Sequence, residues 1–250
     1  MTPEEKLLSA KTEDIVRLCE KYSCGRFSDF LDGGEAAFIE TEFRFPYGCN
    51  YMLFGGFDGC ERKMLGVFPE WAEACESEFP ISVLRIDGGF NRRLNHRDYL
   101  GTVLSLGLDR RKIGDILADN DGAYLFVCSD TAQYIKDNIR KIGNQGVKIT
   151  EIALDGFEAP KRETERIETV FASARLDAAV SAAAGLSRSE ASKLIEGGLV
   201  KLNYKEIYDT SKTVKEGDLL SVRGHGRYIL SEIGGETRKG RIHAVFEKYI

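Results

Sequence analysis

The chain has 250 residues, of which 42% are hydrophobic and 30% are charged, and its formal net charge is −5 at pH 7. This balance excludes a collagen-like or disordered chain, and the length predicts two or three small domains. No apolar run approaches the roughly 20 residues of a membrane span, and the charged N-terminus lacks the apolar stretch of a signal peptide, so we expect a cytoplasmic protein without membrane contact.

The first 80 residues predict an acidic N-terminal α/β domain. Residues 1–22 have helical spacing with Thr12 as a cap, and a second helix is predicted over Glu35–Phe43. Two strands, Cys49–Phe57 and Lys63–Phe68, flank an Asp-Gly turn. Residues 1–85 contain 9 basic and 16 acidic side chains, so this segment favours a protein partner over RNA.

Residues 81–156 predict a β-α-β-β-α-β unit, the order of ferredoxin-like and RRM-like domains. The expected elements, in order, are Ile81–Asp87, a helix from His96 to Leu106 capped by Asn95, Ile113–Ala118, Ala123–Cys128, a helix from Ser129 to Ile142, and Val147–Leu154. The whole chain is therefore expected to be an α+β protein.

RNA binding in the RRM manner requires exposed aromatic residues on the two central strands. Tyr124 and Phe126 alternate correctly on one strand, but the other central strand carries none. We therefore interpret both rings as packing or edge residues. Two basic clusters of this unit are secondary candidates for RNA contact: Arg92, Arg93 and Arg97, and Arg110, Arg111 and Lys112.

A polar, proline-containing linker is predicted over residues 157–170, followed by a basic C-terminal domain over residues 171–250. Ser173 is expected to cap a helix that ends at Gly185, and Ser187 and Glu190 form a capping box for the next helix. Three strands follow, Leu199–Asn203, Leu219–Arg223 and Arg227–Ile233. A tight helical pair followed by a small curled sheet is expected.

Seven cations lie on about fifty residues of this domain, a pattern that suits contacts to backbone phosphates. Arg188 is expected in the first turn of a helix, where the free amides also attract anions. The turn Gly224-His225-Gly226 allows close approach of a backbone. The candidate RNA-binding residues from this pattern are Arg175, Arg188, Lys193, Lys201, Lys205, Arg223, His225 and Arg227.

Two sequence stretches, ARLDAAVSAAAGLSRSEASKLIEGGLVKLN and KEGDLLSVRGHGRY, resemble the S4 RNA-binding domain. Upstream, FSDFLDGGE, FGGFDGCERKMLGVFPE and LNHRDYLGTVLSLGLDRRKIGDILADNDGAYLFV resemble the YlmH family of bacterial S4-domain proteins. The resemblance implies an N-terminal domain, an RRM-like middle domain and a C-terminal S4 domain. It also adds Ser187 and Asn203 to the candidate RNA-binding residues, because they match positions of the S4 domain. The family often has FLDPRE where this chain has Asp32-Gly33-Gly34-Glu35, so no function is carried onto that segment.

The resemblance implies a non-catalytic protein that docks on structured rRNA or tRNA. The implied site of action is the large ribosomal subunit with retained peptidyl-tRNA, in translation quality control and rescue. No cofactor or metal is expected, because six cysteines and three histidines form no zinc-ligand spacing. A monomer is expected, because no heptad repeat or long apolar edge strand requires a dimer.

Two alternatives remain open. One is an RNA-modifying enzyme or an accessory to one, since Arg175-Leu176-Asp177 looks like the catalytic motif of pseudouridine synthases. That motif falls in the first S4 helix, with too little chain after it for the catalytic fold. The other is a protein-interaction adaptor, linked to cell division in relatives, that uses the acidic N-terminal domain.

Overall fold

The computed structural model describes residues 1–88, 94–160, 164–236 and 240–249. These residues form two compact units, Met1–Pro160 (unit 1) and Lys161–Ile250 (unit 2). Each helix in the described ranges is too short or too polar to cross a membrane.

The first part of unit 1 contains two helices and a three-stranded antiparallel sheet of order β1-β3-β2. The elements are α1 (Pro3–Tyr22), β1 (Arg26–Phe27), α2 (Gly33–Thr41), β2 (Asn50–Phe54) and β3 (Met64–Phe68). Thr2 caps α1 in a capping box with Glu5, whereas Thr12, predicted as the cap, is buried inside the helix and donates to the Leu8 carbonyl. Asp32 caps α2.

The second part of unit 1 is the predicted β-α-β-β-α-β unit. Its elements are β4 (Ile81–Asp87), α3 (His96–Leu104), β5 (Ile113–Ala118), β6 (Gly122–Cys128), α4 (Ser129–Asn138), β7 (Lys141–Ile142), β8 (Gln145–Gly146) and β9 (Lys148–Ile152). The sheet order β5-β6-β4-β9, antiparallel throughout, is the ferredoxin-like order. The helix predicted to reach Ile142 ends at Asn138, because Lys141 and Ile142 pair with β8 around the positive-φ turn at Gly143.

Both faces of this sheet are covered. Helices α3 and α4 pack on one face, around buried residues such as Tyr99 and Ile135. On the other face, Phe126 is fully buried among residues of the N-terminal part, including Phe30 and Phe57. The segments 1–80 and 81–156, expected as separate domains, thus share one hydrophobic cluster.

The two aromatic rings of β6 are packing residues, as interpreted from the sequence. Phe157 contacts Phe126 edge-on with ring centroids 5.3 Å apart and contacts Tyr124 at 5.1 Å. The guanidinium of Arg85 lies over the Tyr124 ring, 4.5 Å from its centroid. The face that binds bases in RRM domains is therefore occupied by the protein itself.

Unit 2 pairs two helices with a six-stranded antiparallel sheet of order β10-β15-β14-β13-β11-β12. Its elements are β10 (Thr164–Phe171), α5 (Leu176–Ala184), α6 (Arg188–Glu196), β11 (Val200–Leu202), β12 (Lys205–Glu206), β13 (Leu219–Val222), β14 (Gly226–Glu236) and β15 (Ile242–Tyr249). The predicted helical pair and the three predicted strands are confirmed.

The linker prediction for residues 157–170 is wrong from Thr164 onward. Residues 164–171 form a strand that pairs with β15 over eight positions, and Ile167 and Phe171 point into the core of unit 2. Glu165, Arg166 and Glu168 are exposed on this strand, and these polar residues made the segment look like a linker.

The helical pair is tight because its contact residues are small. Ala179, Ala183 and Ala191 are buried between the helices and the sheet. The capping box of α6 is confirmed, since the Ser187 hydroxyl accepts from the Glu190 amide and the Glu190 carboxylate accepts from the Ser187 amide.

The prediction that Ser173 caps α5 is wrong. Arg175 occupies the cap position without a side-chain hydrogen bond. The amides of Leu176 and Asp177 donate instead to the backbone carbonyls of Lys212 and Thr210. A distant loop thus satisfies the free amides that a local side chain would otherwise cap.

Candidate nucleic-acid interface

Two arginines converge on one buried carboxylate where the two helices of unit 2 begin. Arg175 precedes α5, and Arg188 is the first residue of α6. The Asp177 side chain is only 8% exposed, and it accepts from the Nε of Arg175 at 3.1 Å and from the Nε of Arg188 at 3.1 Å. We call these three residues the arginine clamp.

The clamp leaves both guanidinium groups partly free to bind another anion. Each arginine uses its Nε and Nη2 atoms on Asp177, while the side chains of Arg175 and Arg188 remain 40% and 51% exposed. Because a guanidinium has five N–H donors, donors remain on each side chain. Two positive charges share one negative charge, so the clamp carries a net positive charge at the surface.

The Asp177 carboxylate also compensates an unfavourable position of Arg188. A cation in the first turn of a helix is disfavoured by the positive end of the helix dipole. Burial raises the pKa of Asp177, but hydrogen bonds from Arg175 and Arg188 outweigh burial, and its pKa is lowered overall. The carboxylate is therefore ionised at neutral pH and fixes both arginines in place.

A second group of candidates surrounds the start of α6. Hydrogen bonds from Ser187 lower the pKa of Glu190, and the nearby side chains of Lys193 and His225 lower it further. Lys193 and His225 are both exposed. Ser187 itself acts as the helix cap, with its hydroxyl and amide both bonded to Glu190.

A third group forms a row across the sheet. Lys201, Ser221 and Arg227 are aligned partners on β11, β13 and β14, so their side chains lie on one face. The guanidinium of Arg227 lies 5.8 Å from the ring centroid of Tyr204 and 5.4 Å from that of Tyr249. Two aromatic rings thus hold a cation in this row, which we call the sheet row.

Asn203 has a structural role that the sequence did not predict. Its Nδ2 donates to Asp218 at 2.8 Å, and its Oδ1 accepts from the Leu219 amide at 2.9 Å. Asn203 and Tyr204 both have positive φ, as a two-residue hairpin turn between β11 and β12 requires. The amide of Asn203 is occupied within the fold, so its predicted RNA contact is not supported.

The remaining two candidates of unit 2 lie at the edges of the sheet. Lys205 lies on β12 opposite Leu202 of β11, and its side chain is exposed. Arg223 is exposed at the end of β13, where its amide donates to the Leu199 carbonyl.

The secondary basic cluster of unit 1 is mostly engaged in internal contacts. Burial lowers the pKa of Arg110 to about 10, and its side chain donates to the Ile113 carbonyl. Arg111 pairs with Asp109, and Lys112 lies 2.9 Å from both Asp29 and Asp130. Arg97 is exposed on the first turn of α3. The other two candidates, Arg92 and Arg93, lie outside the described residues.

Sequence reasoning did not assign Asp177, Tyr204 and Tyr249 to the interface. The only local signal for Asp177 was an acid at the start of a helix between two arginines. Tyr249 lies on β15, a strand that was not predicted, so its approach to Arg227 had no sequence signal.

The arginine clamp predicts a pH dependence of stability. The pKa of Asp177 is lower in the folded state than in the unfolded state, where it is about 4. The ionised carboxylate therefore stabilises the fold fully above about pH 4, and this stabilisation is lost as the pH falls below that value. The difference in stability between the wild type and Asp177→Asn should therefore shrink as the pH falls from 6 to 3. Hydrogen exchange of α5, measured by mass spectrometry, isolates this effect, and a difference that stays constant with pH would contradict it.

Two family models match the chain. The model described as "Putative RNA-binding domain in YlmH" matches residues 75–156, and the S4 domain model matches residues 174–220. The second match contains the arginine clamp and Lys201, and it ends before Arg223, His225 and Arg227.

Two comparisons extend over larger parts of the chain. The chain is 33% identical over 252 residues to the "Ribosome-associated protein quality control protein P2" of Bacillus subtilis (strain 168), covering 98% of this chain and 95% of that protein. It is also similar in fold to the "Cell division protein ylmH from Streptococcus pneumoniae", with a TM-score of 0.53 and 20% identity over 62% of this chain and 94% of that one. The chain belongs to the YlmH family of bacterial S4-domain RNA-binding proteins.

Proposed function

We propose that this protein is a non-catalytic RNA-binding protein that docks through unit 2 on structured rRNA or tRNA of the ribosome. The observation that carries the proposal is the arginine clamp, which holds two partly exposed guanidinium groups at the starts of two adjacent helices. The name of the Bacillus subtilis relative supports action on the ribosome in protein quality control.

Phosphate is the ligand that this geometry favours. A guanidinium presents planar N–H donors that match the oxygens of a phosphate, and prior fixation by Asp177 reduces the entropy that binding must overcome. The sheet row adds Lys201 and Arg227, and the guanidinium of Arg227 contacts the rings of Tyr204 and Tyr249. Such contacts recognise the shape of a folded backbone rather than a base sequence.

A catalytic role of Asp177 is disfavoured by its surroundings. The carboxylate is buried and bonded to two arginines and to the Ala178 amide, so it is held as a structural anion. Burial also raises the pKa of the Cys60 thiol to about 11 and that of Cys128 to about 12, which keeps both in the unreactive thiol form.

Within this function, we place the protein on the large subunit that retains peptidyl-tRNA, as a monomer in the cytoplasm. Sedimentation of cell extract through sucrose gradients at low and moderate salt tests this. Co-migration with the free large subunit that is lost as salt rises is the expected result, because phosphate contacts weaken with salt. Migration at the top of the gradient at every salt concentration would contradict ribosome docking.

A further inference from the structure

A cleft of about 260 Å³ opens in unit 1, and no residue of its lining is among the groups assigned to RNA binding. Its walls are the C-terminal half of α1, the turn before β2, and the end of β3 with the loop that follows it. Val16, Cys19 and Phe68 form its apolar floor and are buried.

Two large aromatic side chains line this cleft and are exposed. Tyr47 is fully exposed, and Trp71 is 78% exposed. The loop that carries Trp71 is fixed, because Nδ2 of Asn50 donates to the backbone carbonyls of Glu70 at 3.1 Å and Ala72 at 2.9 Å. The exposure of Trp71 therefore belongs to an ordered loop, and exposed aromatic rings beside a concave surface are typical of binding sites.

The same cleft is negatively charged. Glu20 and Glu70 both line it, and neither carboxylate forms an ion pair or accepts a hydrogen bond from the residues that the structure describes. The cleft lining in the described chain contains no lysine or arginine. The segment 69–80 beside it contains four glutamates and no basic residue.

We propose that this cleft is a docking site for a basic segment of a protein partner, with an arginine side chain seated against Tyr47 and Trp71 and paired with Glu20 and Glu70. A guanidinium fits both features, since it stacks on aromatic faces and forms ion pairs with carboxylates. RNA is a poor occupant, because its phosphates would be repelled by the two glutamates. The site goes beyond the RNA docking proposed for unit 2.

Trp71 is the only tryptophan of the chain, so its fluorescence reports directly on the cleft. The test measures acrylamide quenching of the full-length protein during titration with an acetylated octapeptide of alternating arginine and alanine. The expected result is a saturable loss of quenching as the peptide covers Trp71. The matched peptide with citrulline in place of arginine, which keeps the shape but loses the charge, should leave quenching unchanged.

Two variants with equal charge loss separate the cleft from general electrostatic attraction. Glu20→Gln with Glu70→Gln is expected to weaken peptide binding about tenfold or more, from the loss of two ion pairs near aromatic rings. The control, Glu4→Gln with Glu13→Gln, removes two exposed charges from α1 outside the cleft and should weaken binding less than twofold. Thermal unfolding and the quenching of the free proteins serve as the control for whether both variants remain folded.

Three results would overturn the proposal. Equal binding of the arginine and citrulline peptides would show that charge is not recognised. Equal weakening by the two double variants would show that the peptide binds anywhere on an acidic surface. Shielding of Trp71 by an RNA oligonucleotide, with none by the arginine peptide, would assign the cleft to nucleic acid.

Discussion

Replacing Phe126 with alanine is expected to lower the free energy of unfolding of unit 1 by about 3–5 kcal/mol. Phe126 is fully buried at the centre of the sheet, against the rings of Phe57 and Phe157. Gly56 lies directly against the Phe126 ring, since a Cβ atom added to Gly56 would lie only 2.5 Å from that ring. The site is therefore densely packed. Urea denaturation followed by circular dichroism measures the loss.

The variant Phe126→Leu distinguishes a packing ring from an RNA-stacking ring. It keeps most of the buried apolar volume, so we expect a smaller loss of stability and unchanged RNA affinity. A loss of RNA affinity in Phe126→Leu, with the stability of unit 1 preserved, would show that the ring acts as an RNA platform as in RRM domains.

The double variant Arg175→Gln with Arg188→Gln is expected to lower RNA affinity about a hundredfold. A hydrogen bond to a charged group contributes about 1.5–3 kcal/mol, and 1.4 kcal/mol corresponds to a factor of ten, so each arginine is expected to account for at least a factor of ten. The dependence of log affinity on log salt should also become shallower by about two. Titration of labelled rRNA with the full-length protein at several salt concentrations measures both effects.

Two controls separate lost phosphate contacts from lost folding. The double variant leaves the Asp177 carboxylate buried without its partners, and adding Asp177→Asn removes that carboxylate and should restore stability but not RNA affinity. Arg17→Gln with Arg44→Gln removes two exposed cations from unit 1 and should change RNA affinity less than twofold. Wild-type affinity in the folded triple variant would contradict the role of the clamp.

Helix signals that are local in sequence predicted the structure well. Asn95 caps α3 in a capping box with Asp98, and Ser187 caps α6 with Glu190, because side chain and amide are only three residues apart. The β-α-β-β-α-β order of residues 81–156 also followed from local periodicity.

The failed predictions depend on distant parts of the chain. The start of α5 is satisfied by carbonyls of Thr210 and Lys212, more than thirty residues away, so the local candidate Ser173 is not used. Strand β10 is stabilised by pairing with β15 at the opposite end of unit 2, and neither strand has a strong signal without the other.

The sequence predicts which basic residues form the interface, but not how they are arranged. The candidates Arg175 and Arg188 do lie together, but the residue that joins them, Asp177, was considered only as part of an enzyme motif. Asn203 fits an RNA-binding pattern by sequence, yet its amide connects two turns of the fold. In unit 1, the sequence predicts that Arg110 and Lys112 belong to a basic cluster, but in the structure these charges are buried or paired.

The salt dependence of rRNA binding by the purified full-length protein tests the central claim most directly. The clamp, the sheet row and the exposed Lys193 and Arg223 offer about four to six phosphate contacts, which predict a slope of log affinity against log salt near −3 to −5. A slope in this range would support docking through the backbone phosphates. A flat salt response would contradict the account, because it would show that the basic surface of unit 2 does not contact phosphate.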